Sequence, residues 1–251
     1  MPDQPHLPFS FHPWIVAVPP PMTRVVSPEI LDDLPPGDPR AVRSRSDLAR
    51  VNRLMGHAGI LARHCRRAFA DGVPRTIVEL GGGDGTFLLR LASQLGPTWR
   101  DVAVTLVDRQ PLVSPSTIAS AGKLGWLLKP VAADVFAWLE QPHGSCDLMF
   151  ANLFLHHFDR PALQRLLTLV AGRSEHFTAC EPRRGAWPLT AARALGLIGC
   201  NSVTRHDAVV SVRAGFSGQD LSRAWPASDS WKLSEGGAGM FSHFFSASRR
   251  G

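Results

Sequence analysis

The stretch Val78-Glu79-Leu80-Gly81-Gly82-Gly83-Asp84-Gly85-Thr86-Phe87 decides how this chain folds. The apolar run Thr76–Leu80 ends in a glycine cluster, and an amphipathic run over 86–95 follows at once. That order predicts a strand, a tight turn and a helix. Glycines lack a Cβ, so their backbone reaches φ > 0 and approaches a ligand closely. The helix N-terminus behind them favours a negative group. Glu79 and Asp84 flank the turn. Carboxylates there repel a bare pyrophosphate and suit a ligand with hydroxyls, an amine or a positive charge.

Downstream, short apolar runs at 102–107, 127–132, 147–152 and 175–180 alternate with helical patterns at 135–140, 161–171 and 189–197. Residues 112–124 follow neither period. The alternation predicts a parallel sheet covered on both faces, with ligands bound beyond the carboxyl ends of the strands. The tail departs from it. Two short helices over 205–213 and 219–225 precede strand patterns at 230–234 and 240–248, split by Glu235-Gly236-Gly237-Ala238-Gly239. This predicts a hairpin, with the last strand antiparallel to its neighbour. The expected fold is α/β: a Rossmann-like, seven-stranded, mostly parallel sheet with a C-terminal antiparallel hairpin strand and helices on both faces.

Upstream, Leu48, Val51, Leu54, Met55, Ala58 and Leu61 recur at helical spacing over 46–70, with Ser46 as N-cap and Gly56 and Gly59 as breakpoints. This segment is expected to form a helical cap. Residues 1–39 hold eleven of the 21 prolines and predict an extended arm. Its apolar residues, Trp14 among them, predict that it lies on its own domain or on a second subunit, making it the expected homodimer contact. The expected division is an arm over 1–45, a cap over 46–74 and a ligand-binding domain over 75–251.

The composition narrows the class. With 251 residues and 44% hydrophobic content, the chain can bury a sizeable core. No window holds the roughly 18 apolar residues of a membrane helix, and no signal-peptide pattern opens the chain, so a cytoplasmic protein is expected. Four scattered cysteines without a CxxC predict free thiols and no metal site. The net charge of +6 is concentrated in arginines over 40–75. A solvated helix face is the expected reading, and a nucleic-acid or acidic partner is the alternative. The absence of tyrosine removes that residue as an acid or base.

A dinucleotide fingerprint needs G-x-G-x-x-G/A, but Thr86 or Leu88 occupies the third position. The observed E-L-G-G-G-D-G instead resembles motif I of class I S-adenosylmethionine-dependent methyltransferases, with Glu79, Gly81, Gly83, Asp84 and Gly85 matching. Asp108 closes the second strand 29 residues after Glu79, where a carboxylate accepts from both ribose hydroxyls. An NAD enzyme would share that feature. In the family, an acid at the position of Asp134 accepts from the adenine amino group, and a backbone N–H beside it, at Val135, reaches a ring nitrogen. Asp147 to Asn152, followed by Leu153-Phe154-Leu155-His156-His157-Phe158, resembles the fourth motif, with the LHHF ending of the small-molecule branch.

The resemblance covers about residues 46–251 and is nearest to quinone-biosynthesis and polyketide-tailoring methyltransferases. It implies S-adenosylmethionine as cofactor and a small aromatic or polyketide-like acceptor, methylated at oxygen more readily than at carbon. No N/D-P-P-Y/F motif follows the fourth strand, which argues against a nucleic-acid base as substrate. His156 and His157 are the candidate catalytic bases. Glu181 is placed to orient a histidine and Arg183 to hold an acidic acceptor, while Trp14, Met55 and Trp187 are candidate pocket walls. RNA or protein methylation, and an inactive methyltransferase-like partner subunit, are the alternative functions.

Overall fold

The computed structural model describes residues 22–142, 144–227 and 229–250. Trp14 and most of the expected arm, including the expected homodimer contact, lie outside the described residues. The seven apolar runs form β1 (Thr76–Leu80), β2 (Val102–Asp108), β3 (Trp126–Ala132), β4 (Cys146–Asn152), β5 (Ser174–Pro182), β6 (Trp231–Ala238) and β7 (Ser242–Arg249). They make one sheet of order β3-β2-β1-β4-β5-β7-β6. The first five strands run parallel, and β7 runs antiparallel to both β5 and β6.

Central strands are apolar on both faces because each face meets helices. In β1, Val78 and Leu80 enter the core cluster that holds Leu166 and Leu167, while Ile77 enters the one that holds Leu88 and Leu91. Glu79 shares the face of Ile77 and is therefore buried, at 1% exposure. After β3 the chain crosses back to the other side of β1, so the switch point lies between the carboxyl ends of β1 and β4. Such sheets bind ligands there.

The helices are α1 (Ile30–Asp33), α2 (Pro39–Met55), α3 (His57–Ala68), α4 (Thr86–Leu95), α5 (Pro115–Lys123), α6 (Val135–Glu140), α7 (Arg160–Ala171), α8 (Ala186–Ala194), α9 (Ser202–Ala214) and α10 (Asp220–Ala224). Two sequence expectations need correction. The helix expected from Ser46 starts at Pro39: Asp38 caps it by accepting from Arg40 N, and Pro39 fills the first helical position. Ser46 lies inside it and donates to Val42 O. Gly236 and Gly237, expected in the hairpin turn, instead extend β6 and pair with Phe244 and His243. At Gly237 a Cβ would stand 3.3 Å from the Arg183 guanidinium, so the glycine makes room for that side chain. The split expected near Gly56 occurs there, at φ 69°. The unassigned stretch over 112–124 contains α5, capped by Ser114. Among the described residues no helix is long and apolar enough to cross a membrane.

Residues 22–33 form a strap over the carboxyl edge of the sheet. Arg24 holds it by donating from Nε to Ala214 O at 2.7 Å and from Nη2 to Phe158 O at 2.8 Å and His156 O at 3.2 Å. Its guanidinium also stacks on Phe216, 4.6 Å from the ring centre. Further along, the Asp207 carboxylate accepts from Ile30 N and Leu31 N at 2.9 and 3.0 Å, satisfying the first amides of α1. Arg24→Ala is expected to lower stability by about 2–4 kcal/mol, since it leaves partly buried carbonyls without their donor. Urea unfolding checks this. A loss below about 0.5 kcal/mol, within the range of ordinary surface changes, would show that the strap is not held there.

Candidate active site

One cavity of about 810 Å3 opens at the switch point, and Glu79, Gly81, Gly83, Asp84, Asp108 and Asp134 line its polar end. The glycine turn is shaped by contacts as much as by backbone angles. Gly81 has φ 69°, and a Cβ there would lie 2.1 Å from Phe154 Cδ2. Gly82, which the motif comparison passes over, is equally constrained, since its Cβ would meet Leu106 at 2.5 Å and the Glu79 carboxyl carbon at 2.9 Å. Gly83 has φ 55° with open space beside it, as a surface that receives a ligand requires. Gly85 does not line the cavity. It turns the chain into α4 at φ 77°, against Thr117.

The acids at this end already hold backbone amides. Asp108 accepts from Gly83 N through Oδ2 and from Gln110 N through Oδ1, both at 2.9 Å, so it ties the β2 end to the turn. Asp84 Oδ1 accepts from Thr86 N. Asp134 Oδ1 caps α6 by accepting from Phe136 N and Ala137 N, which leaves Oδ2 to accept from a ligand. Val135, at the start of that helix, is buried on the cavity wall.

Two cavity-lining residues carry buried oxygens without a partner, Glu79 Oε2 and Asn52 Oδ1. Burial, reinforced by the charges of Asp108 and Asp84, holds the Glu79 carboxyl well above the usual range. An orphaned acid facing open space beside two further carboxylates calls for a donor-rich or cationic ligand. The hydroxyls, amine and sulfonium of S-adenosylmethionine answer that description, and the open backbone at Gly83 gives it room.

Asn152 ends β4 on the cavity wall and is positioned by His57, a residue the sequence patterns do not single out. His57 Nδ1 donates to Asn152 Oδ1 and Nε2 accepts from Ser242 Oγ, each at 2.7 Å. Burial holds the imidazole below its ordinary pKa, so it is neutral and can both give and take a bond. The capping helix α3 thereby fixes the β4 end.

His156 and His157 lie in the 3-10 turn Leu155–His157 and both line the cavity. Glu181, buried at the end of β5, fixes that turn. Its Oε1 accepts from Phe154 N and Leu155 N at 3.0 and 2.9 Å, and its Oε2 accepts from His156 Nδ1 at 2.8 Å. The strap adds two acids that sequence reading missed. Glu29 Oε1 lies 3.3 Å from His156 Nε2, and Asp32 Oδ2 lies 3.4 Å from His157 Nδ1. The two rings differ electrically. Burial alone would remove the proton of His156, but hydrogen bonds to Glu181 and Glu29 and their charges outweigh it and raise the pKa to about 9. The same pairing holds Glu181 below the usual carboxylate range despite its burial. His157 is pushed downward by burial and by neighbouring His156, so it is neutral at neutral pH. Of the two candidate bases, only His157 has a free lone pair there.

The cavity also has an apolar gallery, lined by Val51, Leu54 and Met55 of α2 and by Pro188, Leu195 and Ile198. Two expected substrate contacts lie outside it. Arg183 N bonds Phe241 O, which carries its side chain onto the hairpin, where Nη1 is 3.4 Å from Gly239 O. Trp187 is 73% exposed, and it is the next residue, Pro188, that faces the cavity.

No protein-family profile matches the sequence, and no curated protein does. Solved structures do match. The plantazolicin methyltransferase, solved with S-adenosylhomocysteine and a substrate analogue, aligns over 86% of this chain and 91% of its own, at TM-score 0.60 and 12% identity. An O-methyltransferase family protein from Burkholderia thailandensis aligns over 86% of this chain at TM-score 0.53 and 18% identity. The mitomycin 7-O-methyltransferase aligns over 88% at TM-score 0.51 and 16% identity. This chain spans only 61% and 60% of the last two. The chain has the fold of the S-adenosylmethionine-dependent methyltransferases.

Proposed function

We propose that the chain is an S-adenosylmethionine-dependent methyltransferase acting on a hydroxyl of a small aromatic or polyketide-like molecule. One observation carries the reading: a single cavity is lined by the acid-bearing glycine turn, by both histidines and by an apolar gallery. When bound, S-adenosylmethionine would supply an electrophilic methyl carbon, to which the acceptor oxygen bonds in line as the C–S bond breaks, releasing a neutral thioether. Gly81, Gly83, Asp84, Asp108, Asp134 and Val135 hold the cofactor, with Gly85 shaping the turn behind them. Glu79 and Asn152 face the methyl-donor end. The gallery gives an apolar acceptor a surface to lie on, and positioning is most of what such a displacement requires. Neutral His157 takes the hydroxyl proton, and Asp32 steadies the imidazolium that forms.

A macromolecular acceptor fits less well. Of the α2 arginines, Arg40 and Arg50 pair with Asp38 and Asp47, and Arg43 and Arg45 bond to carbonyls of their own chain. The mitomycin and plantazolicin enzymes, which share the fold, act on small molecules, in keeping with this choice.

The test is a thermal shift with S-adenosylhomocysteine, followed by an aromatic acceptor screen scored by mass. Stabilisation by S-adenosylhomocysteine and a product heavier by one methylene are expected. Stabilisation by NAD alone would overturn the cofactor assignment, and products only from RNA or protein would overturn the acceptor class.

A further inference from the structure

The geometry points to a divalent-cation site in the cavity wall, formed by Glu29, His156 and His157. One donor atom from each lies within 4.8 Å of the others, and all three residues face the cavity. Two donors bound to one cation at about 2.0–2.2 Å stand roughly 3.0–3.5 Å apart at tetrahedral or right angles. His156 Nε2 and Glu29 Oε1 are 3.3 Å apart.

Bond lengths differ between the two sides of this cluster. A charge-assisted N–H···O bond closes to about 2.7–2.9 Å. His156 Nδ1 to Glu181 is such a bond, at 2.8 Å. The contacts on the cavity side are longer, 3.3 Å for His156 Nε2 to Glu29 and 3.4 Å for His157 Nδ1 to Asp32. Metal-bound histidine characteristically donates its other ring nitrogen to a carboxylate, as His156 does to Glu181. That bond presents Nε2 to the cavity.

The donors are also held in place. Glu181 fixes the histidine turn through Phe154 N and Leu155 N, and the strap presenting Glu29 is fixed by Asp207 and by a bond from Ser211 Oγ. Three carboxylates surround two imidazoles, and the nearest arginine pairing is Arg109, 4.0 Å from Asp32. Two imidazoles and one carboxylate suit Mn2+, Fe2+, Co2+ or Zn2+ and disfavour Mg2+ and Ca2+, which prefer oxygen. The open side of such a site faces the acceptor position. There a cation would orient the acceptor oxygen and lower its pKa, taking over the ionisation that His157 performs without it. That last role rests on the methyltransferase reading, but the cation site does not.

Full-length protein stripped with a chelator is titrated with Co2+ and followed by its visible spectrum and by calorimetry. One equivalent is expected to bind with nitrogen-ligand bands, excess Mg2+ should leave the bands unchanged, and Glu29→Gln and His157→Ala should each weaken binding at least tenfold. S-adenosylhomocysteine binding is measured on the same variants and should not change. Failure of that ligand to bind the native chain would sink the proposed function and leave the cation result standing. Absence of Co2+ binding, binding indifferent to both substitutions, or equal competition by Mg2+ would overturn the site.

Discussion

Asp108→Ala is expected to weaken S-adenosylhomocysteine binding by about 10²–10⁴-fold. The proposed ribose contacts are two hydrogen bonds to a charged group, each worth about 1.5–3 kcal/mol. The same carboxylate also ties Gly83 N and Gln110 N to the β2 end, so its loss loosens the surface against which the ligand lies. The fold should survive. Asp108 is half-buried at a strand end, so water can take its place at the two backbone amides it leaves. Asp108→Asn keeps one acceptor oxygen and should fall between the two. Calorimetry gives the affinities and urea unfolding gives the stabilities. An Ala variant that binds within about threefold of the native chain, under 1 kcal/mol, would remove Asp108 from the cofactor site.

The sheet was legible because strand runs such as Leu148–Ala151 are apolar on both faces, as buried parallel strands require. The acid-lined end of the cavity was legible for a related reason, since its residues follow successive strand ends. The other end was not. Glu29 and His156 are 127 residues apart, and nothing local to Ser27-Pro28-Glu29 marks it as a partner for a histidine. Its placement depends on Arg24 and Asp207, whose bonds span 134 and 177 residues. The proposed cation cluster is assembled from a strap and a 3-10 turn, so it has no spacing to read in the sequence. Arg183 misled for the opposite reason. A position just past a strand end does face the ligand rim in general, but here it pairs with the hairpin turn. Gly82 shows a third kind of gap. A motif records which glycines recur, whereas the requirement at Gly82 comes from Leu106 and Glu79 packing over its α-carbon.

Glu79→Gln should stabilise the ligand-free chain and impair the ligand-bound one. The buried carboxyl has an orphaned Oε2 and is held well above its ordinary value of 4.5, by burial first and by Asp108 and Asp84 after it. The sign follows from linkage. An acid with a raised folded pKa binds its proton more tightly in the folded state, so the unfolded chain ionises first as pH rises. Stability therefore falls by about 1.4 kcal/mol for each unit from the unfolded pKa up to the folded one, then levels. Glutamine removes that slope, so the variant should exceed the native chain in urea resistance at pH 8, and the gap should close toward pH 4. A cationic ligand reverses the balance, because it stabilises the carboxylate. Binding to the native chain should release a proton, visible as a dependence of the calorimetric heat on buffer ionisation enthalpy. Glu79→Gln should abolish that dependence and weaken S-adenosylmethionine by about 10–100-fold, the loss of one charge-assisted contact. Parallel stability curves for the two proteins from pH 4 to 8 would show that Glu79 is already ionised and paired in the free chain, and the reading of the glycine turn as a cation-seeking cradle would fall with it.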